Sequence, residues 1–299
     1  MAWRKIGRIF LPTGELEWMR THASMPIART EANNNVKIYF STRDSQQRSH
    51  LASLDVDMRN PLSVLAISEH ALLSPGRLGT FDDSGAMLSW ITEHGDNLWF
   101  YYIGWNLGVS VPFRNAVGIA VASNGVITRL GEGPVLDRTF TEPHFVASCC
   151  VLPSETGWTM WYLSCVGWEL YNGRPRHRYN IKYATSADGV AWRRDGRVCI
   201  DFAHPGEYAI SRPTVIRDPD CFRMWYSFRG DTYRIGYAES ADGIGWTRMD
   251  HEAGIACSQS CWDSKMIEYP FVFDHGSNRY MLYNGNGYGQ TGFGIAVWE

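Results

Sequence analysis

The chain has no apolar run approaching the length that spans a bilayer, and its start, Met-Ala-Trp-Arg-Lys, lacks the apolar core of a signal peptide. No membrane association is expected. It has no long run of lysine or arginine and carries a formal charge of −3 at pH 7, which argues against the clustered positive face that nucleic acid requires. Its seven cysteines are an odd number with one adjacent pair, Cys149-Cys150, and no CxxC spacing, so reduced thiols are expected rather than a disulfide framework or a zinc site. No transition-metal ligand cluster is visible, and neither a metal nor another cofactor is expected. No Pro/Gly/Ser-rich linker divides the 299 residues, so a single domain over 1–299 is expected. These absences together point to a cytoplasmic protein.

Aromatic residues are plentiful at 14%, with 13 Trp and 15 Tyr. Packing between stacked sheets consumes most of them and leaves a remainder to face a ligand. The most informative feature is a repeat. Tyr183-Ala-Thr-Ser-Ala-Asp-Gly-Val-Ala-Trp192-Arg-Arg is nearly restated as Tyr237-Ala-Glu-Ser-Ala-Asp-Gly-Ile-Gly-Trp246-Thr-Arg. Such self-similarity means one supersecondary unit used several times. In each copy an alternating apolar run reads as a half-buried strand, Ala-Asp-Gly as a tight turn, and Trp as the opening of the next strand. Upstream of each lies another strand pair, Thr214-Val-Ile with Phe222-Arg-Met-Trp-Tyr-Ser and Cys150-Val-Leu with Trp158-Thr-Met-Trp-Tyr-Leu-Ser. The unit is therefore a four-stranded meander.

Weaker copies begin near Met25-Pro-Ile-Ala, Met87-Leu-Ser-Trp-Ile and Phe271-Val-Phe, giving five units, the last of which stops after its third strand at Gly292-Phe-Gly-Ile-Ala-Val-Trp. The missing strand is at the other end of the chain, where Trp3-Arg-Lys-Ile-Gly-Arg-Ile-Phe10 has the pattern of Trp192-Arg-Arg-Asp-Gly-Arg-Val-Cys199. Pairing the two ends would close a ring without an open sheet edge. The expected fold is an all-β, five-bladed β-propeller of four-stranded antiparallel blades.

In a propeller the first strand of every blade lines the central channel. With Pro26, Leu88, Cys149, Pro213 and Pro270 taken as equivalent, an acid precedes strand one in the last four blades: Asp82 with Asp83 beside it, Glu142, Glu207 and Asp263. The first blade has Met19 or Arg20 there. Carboxylates converging on one axis would repel, raising some pKa values and leaving others ionised, the split that acid/base cleavage of a glycosidic bond needs. The candidate catalytic residues are Asp82, Asp83, Glu142, Glu207 and Glu268. Nearer the axis, His22, His144 and Arg212 join Asp263 as candidate ligand contacts. Two further segments mix aromatics with amides, Tyr101 to Asn115 and Tyr283 to Gln290, and offer Tyr102, Trp105, Arg114, Asn284 and Asn286 to stack on or hydrogen-bond a sugar. The first of these segments reads as too long for a hairpin loop. Asp188 and Asp242, in the Ser-Ala-Asp-Gly turns, are expected to be structural.

The repeat count, the carboxylates before strand one and the Ser-x-Asp-Gly-x-x-Trp turns resemble the five-bladed propeller glycosidases, namely the arabinanase and xylosidase family, the invertase and levansucrase families, and the mannoside phosphorylases. That resemblance implies an ionised Asp in the first blade, an orienting Asp in the second, matched here by Asp82 or Asp83, and an acid Glu in the third, matched by Glu142. The first-blade Asp is replaced by His22-Ala-Ser-Met-Pro26. A closer likeness, carried by Tyr237-Ala-Glu-Ser-Ala-Asp-Gly-Ile, Trp262-Asp-Ser-Lys-Met-Ile-Glu-Tyr-Pro270 and Tyr283-Asn-Gly-Asn-Gly-Tyr-Gly, is to glycosidase-like bacterial propeller proteins that accompany polysaccharide biosynthesis. The expected partner is a carbohydrate or sugar-containing small molecule. The expected function is cleavage or transfer of a glycosidic bond by channel-mouth carboxylates, the alternative a carbohydrate-binding propeller without catalysis.

Overall fold

Alternating apolar stretches become strands along the whole chain, in a computed structural model that describes residues 2–155 and 157–299. Met1 and Thr156 lie outside the described residues. β1 is Trp3–Phe10. β2 (Thr21–Thr30), β3 (Asn35–Arg43), β4 (Ser49–Asp57) and β5 (Val64–Ile67) form an antiparallel meander, followed by β6 (Gly85–His94), β7 (Asn97–Leu107), β8 (Phe113–Ser123) and β9 (Val126–Arg129). The next sets are β10 (Val146–Ser154), β11 (Gly157–Tyr171), β12 (Arg174–Ser186) and β13 (Trp192–Ile200), then β14 (Ala209–Arg217), β15 (Phe222–Arg229), β16 (Tyr233–Ser240) and β17 (Thr247–Arg248). β18 (Glu268–His275), β19 (Asn278–Asn284) and β20 (Phe293–Trp298) complete the chain, and β1 pairs antiparallel with β20, Trp3 opposite Trp298 and Phe10 opposite Phe293. Successive meanders touch through single parallel bridges, Ser49 with Gly85 and Tyr179 with Ala209. The architecture is all-β and propeller-type.

Equivalent strands bury equivalent side chains. The middle of the second strand of each set carries Ile38, Phe100, Met160, Met224 or Met281, and two residues on Phe40, Tyr102, Tyr162, Tyr226 or Tyr283, all buried. Period-two alternation sends both members of each pair to the same side of their sheet.

A hydroxyl or amide from one set captures the backbone N–H of the next at the irregular point of its first strand. Ser41 Oγ accepts from Leu88 N at 2.7 Å, Ser89 Oγ from Cys149 N at 2.6 Å, Ser148 Oγ from Arg212 N at 3.0 Å and Ser227 Oγ from Tyr269 N at 2.7 Å. Asn284 Oδ1, on β19, accepts from Met25 N on β2 at 2.8 Å. These N–H groups lie where strand pairing slips, so without the side chain they would be buried donors lacking an acceptor.

The two Ser-Ala-Asp-Gly turns are built alike. Asp188 Oδ1 accepts from Val190 N and Ala191 N, and Asp242 Oδ1 from Ile244 N and Gly245 N, at 2.8 to 2.9 Å. Each turn docks on the preceding set, where Tyr101 donates its hydroxyl to Gly189 O and Trp161 its indole N–H to Gly243 O, both at 2.8 Å.

Candidate functional site

The acids before strand one are buried and already partnered. Asp82 accepts from Tyr102 Oη at 3.1 Å and from Arg129 on β9 at 2.7 Å. Glu142 accepts from Tyr162 Oη, from Ser164 Oγ at 2.9 Å and from Lys182 at 2.8 Å, with Arg194 on β13 at 2.9 Å. Glu207 takes a two-pronged contact from Arg248 on β17, at 2.6 and 2.7 Å, and Asp263 takes Lys5 on β1 at 2.5 Å with Tyr283 Oη at 3.1 Å. Each carboxylate thus reaches across its own set to a cation on the outer strand, and three of them take the hydroxyl of the second-strand tyrosine as well. In the third such set Tyr226 donates instead to Asp250, which shares Arg248. In the first set the same places hold Met19 and Phe40, both buried, and Ile67, which is exposed.

This corrects the expectation that Asp82, Glu142, Glu207 and Asp263 converge on a shared opening as free carboxylates. Burial would raise the pKa of Glu142, but the hydrogen bond and charge of Lys182, with Arg194 and Ser164, hold it below the ordinary 4.5. A carboxylate held ionised in this way is a poor proton donor. Asp83 is likewise engaged by Asn106 Nδ2 at 2.7 Å, Gly79 N and Ser84 Oγ, which outweigh burial and lower its pKa.

Other expected contacts are also structural. Tyr102 is buried against Asp82. Asn284 donates to Ala23 O at 2.6 Å and Gly292 O at 3.0 Å while accepting from Met25 N, and Asn286 accepts from Lys265 N and Met266 N. His22, at φ 60°, contacts Thr21 Oγ1, and burial beside Arg43 lowers its pKa to about 4. His144 is half-buried outside the main cavity. The segment from Tyr101 to Asn115 is mostly strand, because β7 and β8 run out to Leu107 and Phe113 and leave only a short loop. Its Arg114 faces a cavity of about 270 Å³ shared with Asn106 and Arg138.

The larger cavity, about 540 Å³, draws its wall from every set. Met25, Met87, Ala147, Ser148, Ser211 and Tyr269 come from first strands. Arg43, Trp105 and Arg229 come from the ends of second strands, and Asn115, His177, Tyr179 and Tyr233 from the beginnings of third strands. Tyr288 closes one side from the connection after β19. Tyr179 and Tyr233 share a short hydroxyl–hydroxyl hydrogen bond, and Arg229 lies over the rings of Tyr208, Tyr233 and Tyr288 at 5.3, 5.4 and 5.8 Å. Burial pushes the phenols of Tyr179, Tyr233 and Tyr269 well above 10, so they act as neutral donors. No carboxylate lines this cavity among the described residues.

Two predicted residues are chain neighbours of its lining residues Ser211 and Tyr269 without lining it themselves. Glu268, next to Tyr269, is fully buried, its carboxyl oxygens lack hydrogen-bond partners among the described residues, and burial pushes its pKa well above 4.5. Arg212, behind Ser211 and Ser148, reaches across to donate to Ser89 O, while its Nε and Nη2 have no partner. Met25, Arg212 and Tyr269 all adopt positive φ, at 54°, 53° and 55°, immediately before prolines. Strain of this kind in non-glycine residues gathers around ligand sites.

Arg43, His177, Tyr179, Arg229, Tyr233, Tyr269 and Tyr288 were not among the sequence candidates. A signal for two of them was present. Three residues beyond the buried second-strand aromatic stand Arg43, Trp105, Cys165, Arg229 and Asn286, one register position repeated around the chain.

No family model matches the chain. Uncharacterized proteins MT1551 and Rv1502, from two strains of Mycobacterium tuberculosis, are each 43% identical to it over 300 residues, with all of both chains covered. Among solved structures, a glycosyl hydrolase from Bacteroides ovatus superposes with a TM-score of 0.75 at 13% identity, covering 100% of this chain and 94% of that one. A thermostable family-43 glycoside hydrolase gives 0.67 at 12% identity, covering 93% and 88%. At such identities the structural likeness speaks to fold alone, a glycoside hydrolase-like propeller. The full-length match at 43% identity settles the kinship: the chain belongs to the family of the M. tuberculosis proteins MT1551 and Rv1502.

Proposed function

We propose that residues 1–299 form one five-bladed propeller closed by β1, and that its central cavity binds a carbohydrate without the paired-carboxylate hydrolysis that its acids suggest in the sequence. The ring is supported by the latches from Ser41, Ser89, Ser148, Ser227 and Asn284, which run from each set to the next and from the last back to the first. The binding reading is carried by one observation. The cavity wall combines flat aromatic rings, phenol hydroxyls, amides and guanidinium groups with no lining carboxylate among the described residues. Aromatic faces suit sugar C–H surfaces, hydroxyl and guanidinium donors suit sugar oxygens, and about 540 Å³ is within the usual range for a small-molecule site.

One observation favours catalysis instead. Glu268, beside the lining residue Tyr269, has its pKa pushed well above 4.5 by burial, and it needs a second group to act as base or nucleophile. Incubation of the protein with glycans, read both by thermal shift and by release of reducing ends, separates the readings. The binding reading expects stabilisation without product. Product formation that disappears in Glu268→Gln would replace it with a glycosidase.

A further inference from the structure

We infer that the ligand of the central cavity is an anionic saccharide, its carboxylate or phosphate group held by Arg43 and Arg229. This rests on the carbohydrate-binding reading and names the ligand class. The argument is one of charge balance. Elsewhere in the chain several half-buried cations are neutralised by carboxylates, Arg129 by Asp82, Lys182 and Arg194 by Glu142, Arg248 by Glu207 and Asp250, Arg279 by Asp218 and Asp274, while Arg234 donates to two backbone carbonyls. The cavity arginines have neither kind of compensation among the described residues. Arg229 donates only to the Tyr288 hydroxyl and lies on aromatic rings, with a buried Nε that has no partner. Arg43, also on the wall, forms no ion pair among the described residues, and burial lowers its pKa.

Arg212 adds a third guanidinium behind the wall, fully buried and with two nitrogens unpartnered. The buried acid Glu268, on which the Arg229 charge acts, has its pKa pushed well above 4.5 by burial, toward the uncharged form that offers no compensating anion. Leaving guanidinium groups unpaired away from water is costly, and that cost is offset when an anion arrives. The planar fork of arginine fits carboxylate and phosphate oxygens two at a time. The histidines report the same field. His177 on the wall is lowered to about 4 by burial, Arg229 and Arg176, and His22 to about 4 by burial and Arg43. The remaining wall, Trp105, Phe113, Tyr233 and Tyr288, is aromatic and suited to a sugar ring rather than to a bare inorganic ion.

The test uses the full chain on an array of neutral, uronate-bearing and phosphate-bearing glycans, followed by calorimetric titration of the best acidic glycan and its neutral counterpart. Acidic glycans should bind at least tenfold more tightly than the neutral ones, and the uronate and phosphate arms tell which acid is preferred. Raising the salt concentration should erode the preference in the unmodified protein, whatever the variants do. Arg43→Gln and Arg229→Gln should each lower affinity for the acidic glycan about tenfold more than affinity for its neutral counterpart. Equal affinity for neutral and acidic glycans would overturn the anionic assignment and leave the carbohydrate reading intact. Retention of no glycan in any arm would overturn both.

Discussion

Glu142 shows how a residue that looks catalytic in sequence becomes a strut in space. Its neighbours Tyr162, Ser164, Lys182 and Arg194 are all donors, so removing the charge strands two cations in a buried site. Glu142→Gln is expected to lower stability by about 3 kcal/mol, as for other broken buried pairs, and to leave glycan affinity unchanged in the fraction that folds. Chemical denaturation and titration of the same variant check both halves. Because the folded-state pKa of Glu142 lies below 4.5, its ion pairs stabilise the protein above that pH and are lost as pH falls through the folded value. The acid limb of the stability curve should therefore be shallower in the variant. His177 acts higher up the scale. Folding lowers its pKa from 6.5 to about 4, so the unfolded chain takes up a proton between these values that the folded chain does not, and stability falls as pH drops across that window. His177→Gln should flatten part of the slope from pH 6.5 to 4 in a urea series, with His22 responsible for another part.

At the scale of strands, the structure depends on close approaches that only small or hydroxyl side chains allow. Ser89 Oγ accepts from Cys149 N at 2.6 Å and is fully buried, so Ser89→Ala leaves a buried N–H unpaired and should cost about 1–3 kcal/mol in a thermal or urea melt. Gly104 on β7 is more demanding. A Cβ there would lie 2.4 Å from the Phe81 ring and 2.6 Å from the Asp82 Cβ, so Gly104→Ala should destabilise more than Ser89→Ala, by displacing the Asp82 strut. A melting temperature equal to that of the unmodified protein would contradict this packing.

These elements also mark what the sequence could disclose. The strands and their turns were legible because period-two alternation and Ser-Ala-Asp-Gly are local signals, and Asp188 and Asp242 act locally in the structure as they read in the chain. The partners of Asp82, Glu142, Glu207 and Asp263 were not, because the cations lie far along the chain, 47 positions on for Arg129 with Asp82, 40 for Lys182 with Glu142, 41 for Arg248 with Glu207, and at the opposite chain end for Lys5 with Asp263. Asp82, Glu142, Glu207 and Asp263 each meet a cation from a later strand or the chain's start. Their register in the sequence was silent on whether a repeated acid supports the sheet or faces the ligand. The extension of β11 and β12 to Tyr171 and Arg174 carries His177 beyond Tyr179, whose place in two other sets is held by Asn115 and Tyr233.

The whole molecule joins its two ends. β1 covers β20 and delivers Lys5 to Asp263, so removal of residues 1–10 would expose the β20 edge and leave Asp263 buried without its cation. The truncated chain is expected to aggregate or unfold rather than lose binding selectively, measured by light scattering and far-ultraviolet circular dichroism. The central claim is a division of labour, with carboxylates holding the sheets and arginines with aromatics holding the ligand. A crystal structure with a bound acidic oligosaccharide tests it most directly. The account predicts the sugar seated against Arg43, Arg229, Tyr233 and Tyr288, with the Glu142 to Arg194 and Asp82 to Arg129 pairs intact. A sugar lodged against Glu142 or Asp82, with those pairs broken to admit it, would contradict the account.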